Sequence, residues 1–133
     1  MVDAGPDVLD SEFEVAGGVK VNGRLTLGEN TADNGGLRLA YIALLADARR
    51  KSIDMKARQD DGYTPEQQFF LAFAQNWCGS MRPQQERMQV QTNPHSPMQF
   101  RANGVVRNMP EFGQAFGCKT GQPMMPEGAC RVW

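Results

Sequence analysis

Charge excess and long apolar segments are both missing from this chain of 133 residues, and each absence removes a class of function. The 14 basic and 15 acidic residues nearly cancel, so nothing points to nucleic acid or to an anionic membrane surface. No apolar run approaches the roughly 18 residues that a membrane span requires, and residues 1–6 do not resemble a signal peptide.

Histidine and cysteine, which bind metals, are scarce as well. His95 is the single histidine, and the cysteines are Cys78, Cys118 and Cys130. These four residues contain no closely spaced Cys-x-x-Cys or His-x-x-x-His pair, so we do not expect them to form a zinc site.

A serine hydrolase is also disfavoured. The chain would have to combine Asp33 and His95 with Ser80 or Ser96, and neither serine stands in a Gly-x-Ser-x-Gly motif.

Hydrophobic residues make up 41% and charged residues 22% of the chain. This composition is typical of a globular protein, and the length predicts one domain.

Hydrophobic periodicity predicts a mainly α fold. The first ten residues should be extended, and the stretch from Phe13 to Val21, with two glycines in its middle, suits a short strand or hairpin. One long helix is predicted from Leu27 to Ser52 because apolar residues recur at helical spacing. The residues of that stripe are Leu37, Ala40, Tyr41, Leu44 and Ala48.

Further helices are indicated by capping patterns. Thr64-Pro65 with Gln67 predicts the start of a second helix, whose apolar face carries Phe69, Phe70, Phe73 and Trp77. A third, more exposed helix is predicted over residues 83–91. Asn108, followed three residues later by Glu111, predicts the cap of a fourth, short helix.

The segment from Gly28 to Leu37 has two carboxylates four residues apart. Glu29 and Asp33 therefore lie on the same helical face, and Gly35-Gly36 follows them. Glycine is a poor helix former, so its retention suggests that another backbone or a ligand lies close by. A capping box with Thr26 as N-cap and Glu29 as its N3 partner explains part of the pattern equally well, and the residues alone leave both interpretations open.

Four segments together resemble the neprilysin and endothelin-converting-enzyme family of zinc metallopeptidases. They occur in family order, from the acidic segment to the last residue. They are Glu29-Asn30-Thr31-Ala32-Asp33; Phe69-Phe70 with Gln75-Asn76-Trp77-Cys78; His95-Ser96-Pro97-Met98-Gln99-Phe100-Arg101; and Phe116-Gly117-Cys118 with Met125-Pro126 and Cys130-Arg131-Val132-Trp133.

The resemblance implies a fold and an incomplete active site. Residues 27–133 would be the helical C-terminal portion of a gluzincin-type catalytic domain, and residues 1–26 an extended or strand-like segment. Such peptidases bind zinc through His-Glu-x-x-His, which this chain lacks. We therefore expect a C-terminal piece of a zinc metalloendopeptidase that cleaves oligopeptides. The piece should be inactive by itself and should not bind zinc tightly.

The resemblance also implies a role for each candidate residue. Glu29 would be the third zinc ligand, and Asp33 would accept the remaining N–H of a zinc-binding imidazole. His95 would stabilise the oxyanion that forms when water attacks a peptide carbonyl. Arg101 would hold a carbonyl of the substrate backbone. The alternative is a helical interaction module that derives from such a peptidase but has no catalytic activity.

Partners and location follow from the same resemblance. The three cysteines would pair with cysteines upstream, as in extracellular family members, although three reduced, buried thiols remain an alternative. The face that meets the upstream part should be exposed and partly apolar, which would favour self-association. The expected location is extracytoplasmic: periplasmic, secreted or on a membrane-anchored ectodomain.

Overall fold

A computed structural model describes residues 13–129 of the chain. Within that range, five helices follow an antiparallel hairpin, which confirms the predicted mainly α fold. The elements are β1 (Glu14–Val15), β2 (Val19–Lys20), α1 (Gly23–Arg50), α2 (Pro65–Gln75), α3 (Pro83–Thr92), α4 (Met98–Val106) and α5 (Pro110–Ala115). No described helix is both long enough and apolar enough to cross a membrane.

The hairpin packs on α3 and forms a small core of its own. Val15 pairs with Val19, and the turn between the strands uses Gly17 and Gly18 at φ +90° and +73°, which only glycine adopts without strain. Val15 of β1 and Val90 of α3 are buried in the same hydrophobic cluster. The predicted exposed helix over residues 83–91 is present as α3, and it buries one side through Val90.

The start of α1 differs from its prediction. The helix begins at Gly23, and the side chain of Asn22 is its N-cap, since its oxygen accepts from the Leu25 N–H at 3.2 Å. The predicted start at Leu27 and the capping box of Thr26 with Glu29 are therefore wrong. Thr26 is fully buried inside the helix and donates to the Asn22 carbonyl at 3.3 Å. Asparagine is a preferred N-cap residue, so Asn22 starts the helix and Gly23 is its first residue.

The main core lies between α1, α2, α4 and α5. The predicted capping box of Thr64 and Gln67 is present at the start of α2. Its aromatic face meets α1, and Phe70 is 1% exposed. The buried residues of the cluster are Leu37, Tyr41, Phe70, Val105, Val106 and Met109. Trp77, which the sequence places on the α2 face, lies beyond the helix end at Gln75.

Two features of the C-terminal half were mispredicted. Helix α4 was not predicted, because its sequence, with Asn103 and Gly104, has no strong apolar periodicity; tertiary packing against α1 and α2 holds it. The cap assigned to Asn108 is wrong as well. Its amide donates back to the Gly104 carbonyl at 3.0 Å, while α5 begins at Pro110 without a side-chain cap.

A buried polar cluster joins α1 to α2. The Tyr41 hydroxyl donates to Glu66 Oε1, and the Lys56 ammonium contacts Glu66 Oε2. Tyr41 and Glu66 are each 5% exposed. Burial, and then the hydrogen bond to the Glu66 carboxylate, raise the pKa of the Tyr41 phenol well above its usual value.

The raised pKa of Tyr41 predicts a loss of stability in alkali. Above about pH 10 the unfolded phenol releases its proton, whereas the folded one keeps it. The stabilisation is therefore complete below pH 10 and is lost as pH rises towards the folded pKa. We expect Tyr41→Phe to be less stable at pH 8, by about 1–3 kcal/mol, and this difference to shrink above pH 10. Urea unfolding at several pH values measures it.

The control for this prediction is Tyr63→Phe, because Tyr63 is 45% exposed. This variant should remain close to the wild type in stability at every pH. A difference between wild type and Tyr41→Phe that stays constant across the alkaline range would contradict the prediction.

Two sets of predictions cannot be compared with the fold. The extended segment predicted for residues 1–10 and the cysteine at position 130 lie outside the described residues. Cys78 is exposed and Cys118 is half-buried, and both are free thiols. Their pairing with upstream cysteines stays a prediction.

Candidate active site

The first turns of α1 face the loop between α3 and α4. Glu29 lies on α1 and His95 in that loop, and the carboxylate Oε2 and imidazole Nε2 are 3.1 Å apart. Both side chains are partly exposed, at 42% and 43%. The fold thus brings together two of the residues that the sequence singled out, and it leaves both accessible to a ligand.

Asn93 orients His95 within the loop. Its side-chain oxygen accepts from the His95 backbone N–H at 2.9 Å and lies 3.0 Å from imidazole Nδ1. With Glu29 on the other side, each ring nitrogen faces an oxygen acceptor. Asn93 was not among the predicted site residues, although asparagine side chains often accept from the backbone N–H two residues later, and this turn pattern could have identified it.

Asp33 and Arg101 form a second pair, one turn further along α1. Arg101 donates from Nε and Nη2 to the two carboxylate oxygens of Asp33, at 2.7 and 2.8 Å. The guanidinium also stacks on Trp77, 4.0 Å from the ring centroid. Both charged side chains are largely buried, at 17% and 15% exposure, so this is a strong bidentate pair.

The Asp33–Arg101 pair adds a contact to the roles expected from the sequence. Asp33 accepts from a guanidinium here, and its expected bond to the N–H of a zinc-binding imidazole stays a prediction. Arg101 commits two of its five N–H donors to Asp33. Trp77 was treated only as a core residue, and its contact with Arg101 was missed because it arises between distant segments.

Removal of both partners should cost less than the sum of the two separate removals. We expect Asp33→Asn and Arg101→Met each to destabilise the chain, because each leaves a partly buried group unpaired. The double variant should recover about 2 kcal/mol relative to the sum of the single variants. Urea unfolding of the four proteins measures this coupling.

The control for this cycle is the exposed pair of Asp47 and Arg50, in which the arginine side chain is 75% exposed. The same pair of substitutions there should show no measurable coupling. Equal coupling in the two cycles would contradict a special role for burial at Asp33 and Arg101.

An apolar groove of about 400 Å³ lies beside Asp33, between α1 and α2. Its α1 side includes the small residues Ala32, Gly36 and Ala40, and Phe69 and Phe73 line the other side. A Cβ at Gly36 would meet no atom within 4 Å. Elsewhere on α1, Leu39 and Ile42 are 58% and 49% exposed. The α1 side of the groove is therefore not the only part of this helix that leaves apolar residues uncovered in the described part of the chain.

The described residues fit part of a zinc site. Glu29 offers an accessible carboxylate, a suitable oxygen ligand. Residues 13–129 contain no group of three or more His, Cys, Asp or Glu side chains that could hold a metal ion. Glu29 is therefore not part of a complete set of metal ligands within residues 13–129.

A serine hydrolase gains no support from the geometry. Ser96 is 2% exposed, and its hydroxyl donates to Asn30 Oδ1 at 3.0 Å. Asp33 is paired with Arg101. Neither residue is therefore arranged to work with His95 as a nucleophile or as a third member of a triad.

Known proteins match almost the whole chain. Human neprilysin is 44% identical over 121 residues, covering 91% of this chain and 16% of its own length. Endothelin-converting enzyme 1 of Bos taurus is 44% identical over 116 residues, and neprilysin-3 of Drosophila melanogaster is 43% identical over 116. Each of these two alignments covers 87% of this chain and 15% of the relative. The chain thus spans about one sixth of the length of the relatives that it matches.

The fold matches that of solved peptidases. A Mycobacterium tuberculosis zinc metalloprotease in complex with an inhibitor superposes with a TM-score of 0.82 and 30% identity, over 96% of this chain and 20% of the protease. The model of Peptidase family M13 matches residues 9–132. The chain therefore belongs to Peptidase family M13, the zinc metallopeptidase family of neprilysin and endothelin-converting enzyme.

Proposed function

We propose that this chain is the C-terminal part of a zinc metalloendopeptidase that hydrolyses oligopeptides, and that it supplies the third zinc ligand and the residues that bind the reacting carbonyl. The observation that carries the proposal is the 3.1 Å contact between Glu29 and His95. It supports the proposal because an accessible carboxylate that could bind zinc lies next to an imidazole that could donate a hydrogen bond, and the two side chains come from segments that are distant in sequence.

Each side chain then has a distinct task. Zinc, when bound, would polarise the peptide carbonyl and activate water. Glu29 would be one of its ligands, and His95 would donate a hydrogen bond to the oxyanion that develops on the carbonyl. Arg101 would use its remaining N–H donors on a substrate carbonyl. Asp33 would hold the guanidinium in position, and through it the substrate.

The apolar groove between α1 and α2 is a suitable surface for contact with another part of the same enzyme. We propose that the upstream part of the peptidase, with the two histidine ligands, packs against Ala32, Gly36 and Ala40, because small residues permit close approach of a second backbone. Residues 27–133 would then be the helical C-terminal part of the catalytic domain. Residues 1–26 would precede this part, and the last four of them already belong to α1, which begins at Gly23. Without this partner, the same face favours self-association.

The isolated chain is expected to lack peptidase activity and tight zinc, since residues 13–129 contain no group of three or more side chains that could hold a metal ion. A human relative named membrane metallo-endopeptidase-like 1 is 43% identical to it over 121 residues, which supports the proposed extracytoplasmic location.

A chimera tests the proposed function. The C-terminal segment of human neprilysin that aligns with this chain is replaced by this chain. Zinc content is measured by atomic absorption, and cleavage is followed with a fluorogenic oligopeptide. We expect one zinc per molecule and zinc-dependent cleavage, whereas neprilysin truncated before the segment should show neither. A folded chimera that binds zinc but cleaves no peptide would overturn the proposal.

A further inference from the structure

Two contacts run side by side between α1 and the loop at residues 93–97. Glu29 and Asn30 are consecutive on α1, and they contact the consecutive residues His95 and Ser96. The outer contact joins Glu29 to His95 at 3.1 Å and is partly exposed. The inner contact, from Ser96 Oγ to Asn30 Oδ1, is 3.0 Å long and buried, with Asn30 at 5% and Ser96 at 2% exposure.

The inner contact belongs to a buried network of hydrogen bonds. The Asn30 amide donates to Thr26 Oγ1 at 3.1 Å. On the loop side, the Gln89 amide donates to the carbonyls of His95 and Ser96, at 3.2 and 3.4 Å. The network therefore attaches the loop to α1 on one side and to α3 on the other.

Burial makes the two contacts unequal in strength. An exposed ion pair is worth little, because water screens it and the side chains lose entropy. A buried polar group that loses its partner costs about 1–3 kcal/mol. The Asn30–Ser96 bond, and not the Glu29–His95 contact, therefore fixes the distance between the loop and the helix.

We propose that Asn30 and Ser96 are positioning residues, whose buried hydrogen bond holds the His95 imidazole beside Glu29. The catalytic consequence rests on the proposed function: a loop that shifts by a fraction of an ångström would move the imidazole away from the oxyanion that it must meet. The structural consequence does not depend on that function, and it can be tested on the 133-residue chain itself.

The chain offers a direct readout, because His95 is its single histidine. In the NMR spectrum of the wild-type chain, the imidazole protons should show nuclear Overhauser contacts to the Glu29 side chain. Ser96→Ala and Asn30→Ala each delete one end of the inner bond. In both variants we expect the contacts between His95 and Glu29 to weaken at least severalfold, while the signals of the core around Phe70 stay unchanged.

Asn108→Ala is the matched control. Asn108 is a buried asparagine, at 7% exposure, and it donates to a carbonyl within α4. It should cost similar stability but leave the contacts between His95 and Glu29 intact. Undiminished contacts in both Ser96→Ala and Asn30→Ala would overturn the proposal, and so would an equal loss in Asn108→Ala.

The chimera adds a catalytic readout. Ser96→Ala should lower kcat by about tenfold or more, with zinc content and KM unchanged. Ser96→Thr keeps the hydroxyl donor and should recover most of kcat. If the chimera cleaves no peptide, the proposed function fails while the NMR result still decides the positioning role. If Ser96→Ala lowers zinc content or raises KM with kcat unchanged, the positioning role is wrong.

Discussion

Replacement of Glu29 by glutamine in the chimera is expected to remove stoichiometric zinc and nearly all peptidase activity. A neutral amide is a poor replacement for a carboxylate ligand, and three protein ligands hold a catalytic zinc. Loss of a residue that only supports a ligand already costs about 10–100-fold in metal affinity or activity, so loss of the ligand itself should exceed 100-fold. Zinc content and kcat/KM are the two measurements.

The fold should survive this substitution. The Glu29 side chain is 42% exposed, and surface substitutions usually change stability by no more than about 0.5 kcal/mol. Glu14→Gln, at an exposed position in β1, is the matched control and should keep both zinc and activity. Full zinc occupancy in Glu29→Gln would remove Glu29 from the set of ligands.

Replacement of His95 by phenylalanine should lower kcat in the chimera by about 10²–10³-fold. Phenylalanine keeps an aromatic ring at this position, but the N–H donor that would stabilise the oxyanion is lost. Because this interaction forms only in the transition state, KM should change little. Zinc content should remain at one per molecule, which distinguishes this variant from Glu29→Gln.

Two further variants sharpen the test of His95. His95→Gln keeps an N–H donor on a flexible side chain and should recover part of the lost kcat. Thr92→Ala, at a neighbouring exposed position, should behave like the parent chimera. A His95→Phe variant that loses zinc, or whose loss is confined to KM, would contradict the role in transition-state stabilisation.

Local sequence patterns predicted those elements whose causes are local. The capping box of Thr64 and Gln67 and the glycines of the hairpin act over a few residues, and both predictions are confirmed. The start of α1 failed because two capping patterns compete within five residues, and the sequence does not reveal which one the packing favours. Asn108 failed for a similar reason, because its amide turns back to its own helix.

In the candidate site, too, local patterns identified residues but did not reveal contacts between distant segments. The motifs named Glu29, Asp33, His95 and Arg101, and the family match that they indicated is confirmed. They did not reveal that Asp33 and Arg101 pair with each other, or that Trp77 lies under the guanidinium. These contacts join residues that are 68 positions apart in one case, and no local pattern encodes them.

The sequence by itself determined the family, the helical class and the identity of the candidate site residues, because these depend on residue types at fixed spacings. Only the tertiary structure decided how those residues are arranged: α4 forms where packing holds a weakly amphipathic segment, and Ser96 reaches Asn30 across 66 positions. The buried contacts are the decisive ones, since a polar group removed from water must find its partner wherever the chain brings one. That requirement places His95 beside Glu29.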